Sequence, residues 1–441
     1  MLKQSITGLF LASLMIGTSP GLAQQPITAD ARTAAVNSIA EAISNEFYDA
    51  DRAAQISADL VAALEGGEFS SIEDGDVLAA ELSRRLGPED THFRVNYIGP
   101  QAVIDAMARF EQEQAEPGST DRWAAARRAN FGYSSVEILP GNIGYIDLRQ
   151  FAYLEPARET AIAALNFIAN TDAVIVDLRR NGGGSPSMVQ FLISHFLAPG
   201  GGTLINTFVS RDTEYPTQMW SLPTHPAGNR PDTPLYVLIS SSTGSAAEGF
   251  PYHLRAMERA TLVGETTYGA GNPGGTFYLD EGYTVFISTG SARNPITQSN
   301  WEDVGVEPHL AVSADTALEE ALVLAYSNLA ESTEDPNIAR SLEWAQEALT
   351  AELNPVVLSA DALQRYVGDF GLRDIFLQDG QIMYQREGSE PNALLALGND
   401  RFAFPNNDRY RITFRFDRRG NVEAMDMLVL DGRVLANPLA D

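Results

Sequence analysis

A chain of 441 residues has room for two or three domains at roughly 150 residues each, and 44% hydrophobic with 20% charged residues is the composition of a folding globular protein. Acidic residues outnumber basic ones by 58 to 30, and the formal net charge of −28 repels phosphate backbones and anionic lipid, which argues against nucleic acid as a partner. With no cysteine there is no disulfide, thiolate nucleophile, cysteine-ligated zinc or iron–sulfur cluster, and five histidines fit a polyhistidine metal site poorly.

In chain order the first feature is a leader: Lys3, an apolar run from Ile6 to Ile16, then small residues at Gly21 and Ala23. The run is shorter than the ~20 residues a membrane span requires and has the layout of a secretory signal peptide. Residues 1–23 are therefore expected to be removed, leaving a periplasmic or secreted protein with no stable membrane insertion. Between Ile27 and Pro88 apolar residues recur at helical spacing, as in Val36, Ile39, Ile43, Phe47 and Ile56, Leu60, Leu64, with breaks at Tyr48-Asp49 and Gly66-Gly67. This predicts a helical N-terminal domain over 24–98 that ends in a strand-like stretch, Phe93 to Ile98. A helix near Ala102–Glu113 and a Glu116-Pro117-Gly118-Ser119 loop follow.

From Ser135 short β-rich runs alternate with helices. The strands are Ile143 to Leu148, Ala173 to Leu178 and Leu235 to Ile239; the helices are Ala157–Ala169, Ser187–Phe196 and Ser245–Arg259. Continuous apolar strands with helices between them predict a largely parallel sheet covered on both faces, an α/β core over 99–330. A helical linker over 331–354 leads to alternating runs at Ile375–Gln378, Ile382–Gln385, Arg411–Phe416 and Ala424–Leu430, with Asp379-Gly380 and Asp431-Gly432 turns. These predict a C-terminal antiparallel β-domain over 355–441.

Two loops could carry chemistry. In L-Y-V-L-I-S-S-S-T-G-S-A-A-E-G-F a buried strand and a turn of small residues lead into a helix opening near Ser245. A serine there has an exposed hydroxyl beside backbone N–H groups that can stabilise an oxyanion; equally, it is an ordinary N-cap. In V-I-V-D-L-R-R-N-G-G-G-S-P three glycines let the backbone approach a ligand atom, or make a plain turn. The loop lacks the Lys-Ser/Thr of a P-loop and the spacing of a dinucleotide site, so nucleotide readings fail.

The pair D-L-R-x-N-G-G-G and S-A-A-E, followed by L-V-G-E-T-T-Y-G-A-G-N-P-G-G, resembles the tail-specific or C-terminal-processing serine peptidases, a superfamily that includes the tricorn core protease and interphotoreceptor retinoid-binding protein. The resemblance covers roughly residues 30–325 and implies a ClpP/crotonase-like core. It places the nucleophile on Ser245, and the family's lysine base at a position held here by Ala270. Three further features look like the retinoid-binding and tricorn branches: the helical bundle, a D-x-H-hydrophobic segment at Asp90-Thr91-His92-Phe93, and N-P-I-T-x-x-N-W-E-x-V-G-V-E-P at 294–308. The tricorn-like arrangement uses a histidine held by a neighbouring hydroxyl and a distant glutamate, and these land on His92, Thr91 and Glu302. The oxyanion donors land on the N–H groups of Ala246 and Gly184. Such a set is chemically sensible, since a neutral imidazole that accepts the hydroxyl proton turns serine into a usable nucleophile.

Glu248, one helical turn after Ser245, reads as a structural hydrogen bonder, and Glu265 and Thr267 as shaping the loop beside the site. His195, His225, His253 and His309 read as core or surface residues. Only fifty residues separate His92 from Ile143, too few for the PDZ module usual among the processing peptidases. The resemblance implies an exported serine peptidase acting on peptide or protein substrates, with no metal and no cofactor. A lipophilic-ligand carrier of retinoid or fatty-acid type on the same fold, and a hydrolase of a non-peptide ester or amide, stay open as alternatives. Nothing in the pattern sets an oligomeric state.

Overall fold

The computed structural model describes residues 26–115, 123–211, 215–405 and 407–440. The expected signal peptide at 1–23 and the expected loop at 116–119 lie outside the described residues. The chain divides into two compact units. The first runs through Ala311 apart from two short strand-end segments, 138–144 and 171–175; the second holds those segments together with 312–441.

The first unit opens with helices α1 (Ala29–Glu46), α2 (Ala50–Glu65) and α3 (Gly75–Leu86). Each begins where a side-chain oxygen satisfies free N–H groups of the first turn: Thr28, Asp49 and Asp74 accept from Ala31, from Asp51 and Arg52, and from Val77. Their apolar faces, Val36, Ile39 and Ile43 with Ile56 and Leu60 and with Leu78 and Leu82, close into one buried cluster. That cluster also takes in Val95 of strand β1 (Arg94–Tyr97) and Val285 and Ile287 from far along the chain. The bundle is thereby joined to the core by packing as well as by sequence, and helix α4 (Pro100–Ala115) follows it.

The core sheet is built from β2 (Tyr133–Leu139), β3 (Ile143–Leu148), helix α5 (Leu154–Phe167), β4 (Ala173–Asp177) and helix α6 (Pro186–His195). Strands β5 (Leu204–Ser210), β6 (Thr217–Trp220) and β7 (Leu235–Ile239), helix α7 (Ala246–Ala256) and β8 (Thr261–Gly264) continue it. Then come β9 (Gly274–Leu279), β10 (Tyr283–Ser288), β11 (Gly290–Arg293) and β12 (Leu310–Ala311). The central sheet has the order β12-β8-β7-β4-β3-β2, with β12, β8 and β7 running parallel. Every residue of β3, β4 and β7 is buried, as expected of strands covered on both faces. This is the α/β core that the alternating pattern predicts.

Two antiparallel three-stranded sheets, β1-β10-β9 and β11-β5-β6, accompany the central sheet; of their strands only β1, the strand-like stretch from Phe93 to Ile98, is expected from the sequence. In the first, Arg94 pairs with Phe286 and Tyr97 with Tyr283. This pairing carries the segment just before β1, which holds Thr91 and His92, into the core.

The second unit contains helices α8 (Ala317–Ser332) and α9 (Pro336–Leu353) and two antiparallel sheets, of four strands over 368–393 and five strands over 395–438. The Asp379-Gly380 turn joins two strands with positive φ at both residues, 51° and 79°, the hairpin geometry expected there. Arg411 is fully buried with no carboxylate paired to it among the described residues: its guanidinium stands 4.9 Å over the Trp344 ring and donates to the Trp344 carbonyl at 2.7 Å. Arg401 and Glu347 add a bidentate pair at 2.6 and 2.9 Å, so α9 is fastened to the five-stranded sheet. No helix among the described residues is long and apolar enough to cross a membrane.

Candidate active site

Between β7 and α7, residues 240–245 fold into a turn anchored on the end of β4. The Thr243 hydroxyl donates to the Leu178 carbonyl at 2.8 Å and the Gly244 N–H to the Asn181 carbonyl at 3.1 Å. Ser245 then takes φ 54°, ψ −126°, a conformation that L residues avoid and that persists only where the surroundings hold it. Its N–H donates to the Glu248 carboxylate at 2.7 Å. Glu248 is fully buried and also accepts the Thr267 hydroxyl at 2.5 Å and the N–H groups of Gly269 and Ala270 at 2.6 and 2.9 Å. It is the structural hydrogen bonder anticipated, fixing a strained serine and the loop facing it. Burial pushes its carboxyl up, and these donors oppose that rise.

Two backbone donors stand beside Ser245. Ala246 is the first helical residue of α7, so its N–H has no acceptor within the helix. Gly184 bridges Phe151 as in a parallel pair: Phe151 N–H donates to the Gly183 carbonyl, and Ser185 N–H to the Phe151 carbonyl. Those bonds use the groups on either side of Gly184 and turn its own N–H away from Phe151. Only glycine fits, because φ is 135° and a Cβ would lie 2.0 Å from the Phe151 carbonyl oxygen. Ser245, Ala246 and Gly184 line one cavity.

Thr91, His92 and Glu302 also come together. The Thr91 hydroxyl donates to Glu302 Oε1 at 2.8 Å, and Thr91 N–H reaches the same oxygen at 3.3 Å. Glu302 Oε2 accepts N–H groups from Gly271 at 2.6 Å and Asn272 at 2.8 Å. A side chain at residue 271 is excluded, since its Cβ would meet Glu302 N at 2.8 Å. His92 stacks on Phe286 with centroids 5.2 Å apart, and neither of its ring nitrogens has a hydrogen-bond partner among the described residues. Its Nδ1 stands 3.9 Å from Glu302 Oε2 and 3.8 Å from Asp90 Oδ1, which leaves Nε2 as the nitrogen turned from both carboxylates. Burial pushes the imidazole down and the Glu302 charge pushes it partly back, the net direction being downward. Glu302 is pushed up by burial and by the Asp90 charge, and Asp90 is pushed up by burial.

Loop 269–272 links the two clusters. Glu248 grips Gly269 and Ala270 from the Ser245 side, and Glu302 grips Gly271 and Asn272 from the His92 side. Ala270, at the family's lysine position, is buried, and Lys3 is the only lysine in the sequence. No lysine among the described residues can act as base.

Three residues of this site had no role in the sequence reading. Asp90 accepts the His92 N–H at 2.8 Å, Asn272 reaches Asp90 at 3.4 Å, and the Tyr48 phenol, pushed up first by burial, lies in the field of Asp90 and Glu302. Asp90 and Asn272 both stand inside motifs quoted from the sequence; Asp90 sits in a turn, its carbonyl accepting the Phe93 N–H at 3.0 Å. Asp90, His92 and Glu302 offer ligand atoms within 4.8 Å of one another, a spacing that suits a cation. Glu302 Oε2 already accepts two N–H groups, however, and Oε1 accepts the Thr91 N–H at 3.3 Å and stands 2.8 Å from the Thr91 hydroxyl, so groups of the chain itself compete with a metal for this carboxylate. The other histidines lie apart from this cluster: His195 and His225 are buried with rings 5.0 Å apart, His253 is buried, and His309 is exposed.

Residues 142–312 match the model of peptidase family S41. The matched span contains Gly184, Ser245, Ala246 and Glu302, while Thr91 and His92 precede it. Among curated proteins, a carboxyl-terminal-processing protease of Synechocystis sp. is 32% identical over 162 residues, 35% of this chain and 35% of that protein. The chloroplastic carboxyl-terminal-processing peptidase 1 of Arabidopsis thaliana is 31% identical over 176 residues, 38% of this chain and 33% of that protein. The chain thus spans about a third of the length of the curated relatives it matches. Among solved structures, the photosystem II D1 C-terminal processing protease aligns at TM-score 0.41 and 14% identity, covering 66% of this chain and 95% of that one. The sequence matches bear out the superfamily resemblance read from D-L-R-x-N-G-G-G and S-A-A-E.

Proposed function

We propose that this chain is an exported serine peptidase that cleaves peptide or protein substrates through an acyl-enzyme at Ser245, with His92 as general base. The observation that carries the reading is the strained turn at Ser245, held by Glu248 and flanked by the N–H groups of Ala246 and Gly184. Strain of this kind in a strand-to-helix turn lifts a nucleophile clear of its own backbone. As Ser245 Oγ attacks the scissile carbonyl, His92 Nε2 takes its proton, and the oxyanion builds between Ala246 N–H and Gly184 N–H. The imidazolium then protonates the leaving amine, and water repeats the sequence in reverse to free the acid. Thr91 holds Glu302, and Glu302 with Asp90 stabilises the imidazolium. These side chains and backbone donors supply the base and the oxyanion site from the chain itself, so the step calls on no cofactor.

A single experiment addresses both the nucleophile and the export. Protein recovered from the native host and treated with a fluorophosphonate is expected to carry one adduct on the peptide containing Ser245, and an N-terminal peptide beginning at Gln24. An adduct elsewhere, or none, removes Ser245 from its role; a chain beginning at Met1 removes the leader.

Asp90 takes part in this mechanism beside Glu302: its Oδ1 accepts the His92 N–H at 2.8 Å and lies 3.8 Å from Nδ1, against 3.9 Å for Glu302 Oε2, so both carboxylates face the Nδ1 proton. Asp90→Asn keeps the shape and removes the charge, so kcat/KM is expected to fall about 10- to 100-fold and the acid limb of the pH profile to move lower. An unchanged rate and limb would leave Glu302 as the sole partner.

A further inference from the structure

Asp90 faces His92 through one oxygen, and two side-chain amides in series reach its other oxygen. The series starts at Asn300, whose Oδ1 accepts the Glu302 N–H at 2.9 Å. A backbone N–H can only donate, so this contact fixes which way round the amide sits. The Asn300 Nδ2 group then donates to Asn272 Oδ1 at 3.1 Å and to Ser291 Oγ at 3.3 Å. With its oxygen committed to Asn300, Asn272 turns Nδ2 to Asp90 Oδ2 at 3.4 Å. Asp90 Oδ1 accepts the His92 N–H at 2.8 Å. Each oxygen of Asp90 thus meets a donor, which suits a carboxylate and not a carboxylic acid.

The surroundings otherwise work against that charge. Burial, the largest influence on Asp90, favours the neutral acid, and the Asp303 charge adds to it. Besides His92, the ionisable groups that face Asp90 are Glu302, Asp303 and the Tyr48 phenol, and none of these three brings a positive charge. Arg52, which acts on the Tyr48 phenol, is paired with Glu89 at 3.0 Å. The amides themselves are well anchored: Asn272 is buried with its N–H on Glu302 Oε2 at 2.8 Å, and Asn300 Cγ lies 3.2 Å from the position a Cβ on Gly271 would take.

We propose that Asn300 is a positioning residue for the base, acting through Asn272: the fixed polarity of the two amides keeps Asp90 ionised and aimed at His92. The proposal rests on the reading of His92 as general base. Among the described residues Asn272 lines the cavity beside Ser245 and Asn300 does not, so a change at Asn300 reaches the chemistry through its neighbour.

The test is Asn300→Ser in the full chain. A serine hydroxyl can still accept the Glu302 N–H and keep the local turn, but it is too short to meet Asn272. Asn272 is then free to turn over, and Asp90 takes up a proton more readily. At about pH 6, kcat/KM is expected to fall about three- to tenfold, mostly in kcat. Asp90 and His92 titrate as a pair, and making either more basic raises the pH of the first protonation. The acid limb is therefore expected to move up in Asn300→Ser, opposite to the downward move expected of Asp90→Asn. In an Asp90→Asn background the further change Asn300→Ser is expected to alter neither rate nor limb, since the group through which Asn300 acts is gone. Equal losses in both backgrounds, or a limb that stays in place in the single variant, overturn the role of Asn300 and leave a His92-dependent limb in the wild type as it was. A wild-type limb that survives His92→Ala overturns the base and this proposal together. Should Asn300→Ser fail to fold, Asn300→Thr, which also keeps the hydroxyl, is read in its place.

Discussion

Replacing Ser245 by alanine is expected to lower kcat by on the order of 10⁶ while leaving the thermal midpoint nearly unchanged. The rate falls because nothing else at the turn offers a nucleophilic oxygen beside the Ala246 and Gly184 donors. The fold survives because the contact that holds the strained residue runs from its backbone N–H to Glu248, a bond that alanine keeps. The positive φ is as unfavourable for alanine as for serine, so the backbone strain is common to both chains and cancels in the comparison. Hydrolysis of casein and of an ester substrate, measured beside a thermal melt, checks both halves. Undiminished hydrolysis by Ser245→Ala would place the nucleophile elsewhere in the chain.

What could be read from the sequence divides along physical lines. The helices of the N-terminal bundle and strands β3, β4 and β7 were legible because burial imposes a local period: a 3.6-residue recurrence in Val36, Ile39 and Ile43, and an unbroken apolar run in Ala173–Asp177. Strands β5, β9 and β10 were not. Leu204–Ser210 mixes polar and apolar residues without alternation, and Gly274–Leu279 opens on two glycines, so neither carries a local strand signal. β10 also pairs with a strand far away in the chain, Arg94 facing Phe286 across the sheet.

The site follows the same division. Ser245, His92, Thr91 and Glu302 were nameable only through motifs in a known order, since nothing in their spacing shows that they meet. Asp90 and Asn272 enter the site through a contact between segments far apart in the chain, Asn272 reaching Asp90 at 3.4 Å. His253 could be read as a core residue, and it is one. Its Nε2 proton is set by Asn294, itself oriented by Ile296 and Thr297. A chain of hydrogen bonds of that kind leaves no periodic trace in a sequence.

His92→Ala is expected to remove activity to about the same extent as the loss of Ser245, on the order of 10⁶ in kcat, and to abolish the acid limb of the pH profile. The sign of the limb follows from the charge states. A general base must be neutral to accept the Ser245 proton, so activity rises with pH as His92 loses its own proton and levels off above that ionisation. Burial is the larger influence on the ring and lowers its pKa, while the Glu302 charge raises it by less, so the midpoint is expected below the ~6.5 of a free histidine. Asp90 and Glu302 are both pushed upward, and their protonation at the acid end would strip the imidazolium of its partners, steepening the fall there. Measuring kcat/KM from about pH 4 to pH 9 on the wild type and on His92→Ala separates the contributions. A lysine base would give a limb that survives the substitution, but Ala270 occupies the loop position where the related peptidases carry that lysine, and the single lysine of the chain is Lys3. A limb of unchanged midpoint in His92→Ala would therefore require a base outside the Asp90, Thr91, His92 and Glu302 cluster, and the proposed mechanism would fail with it.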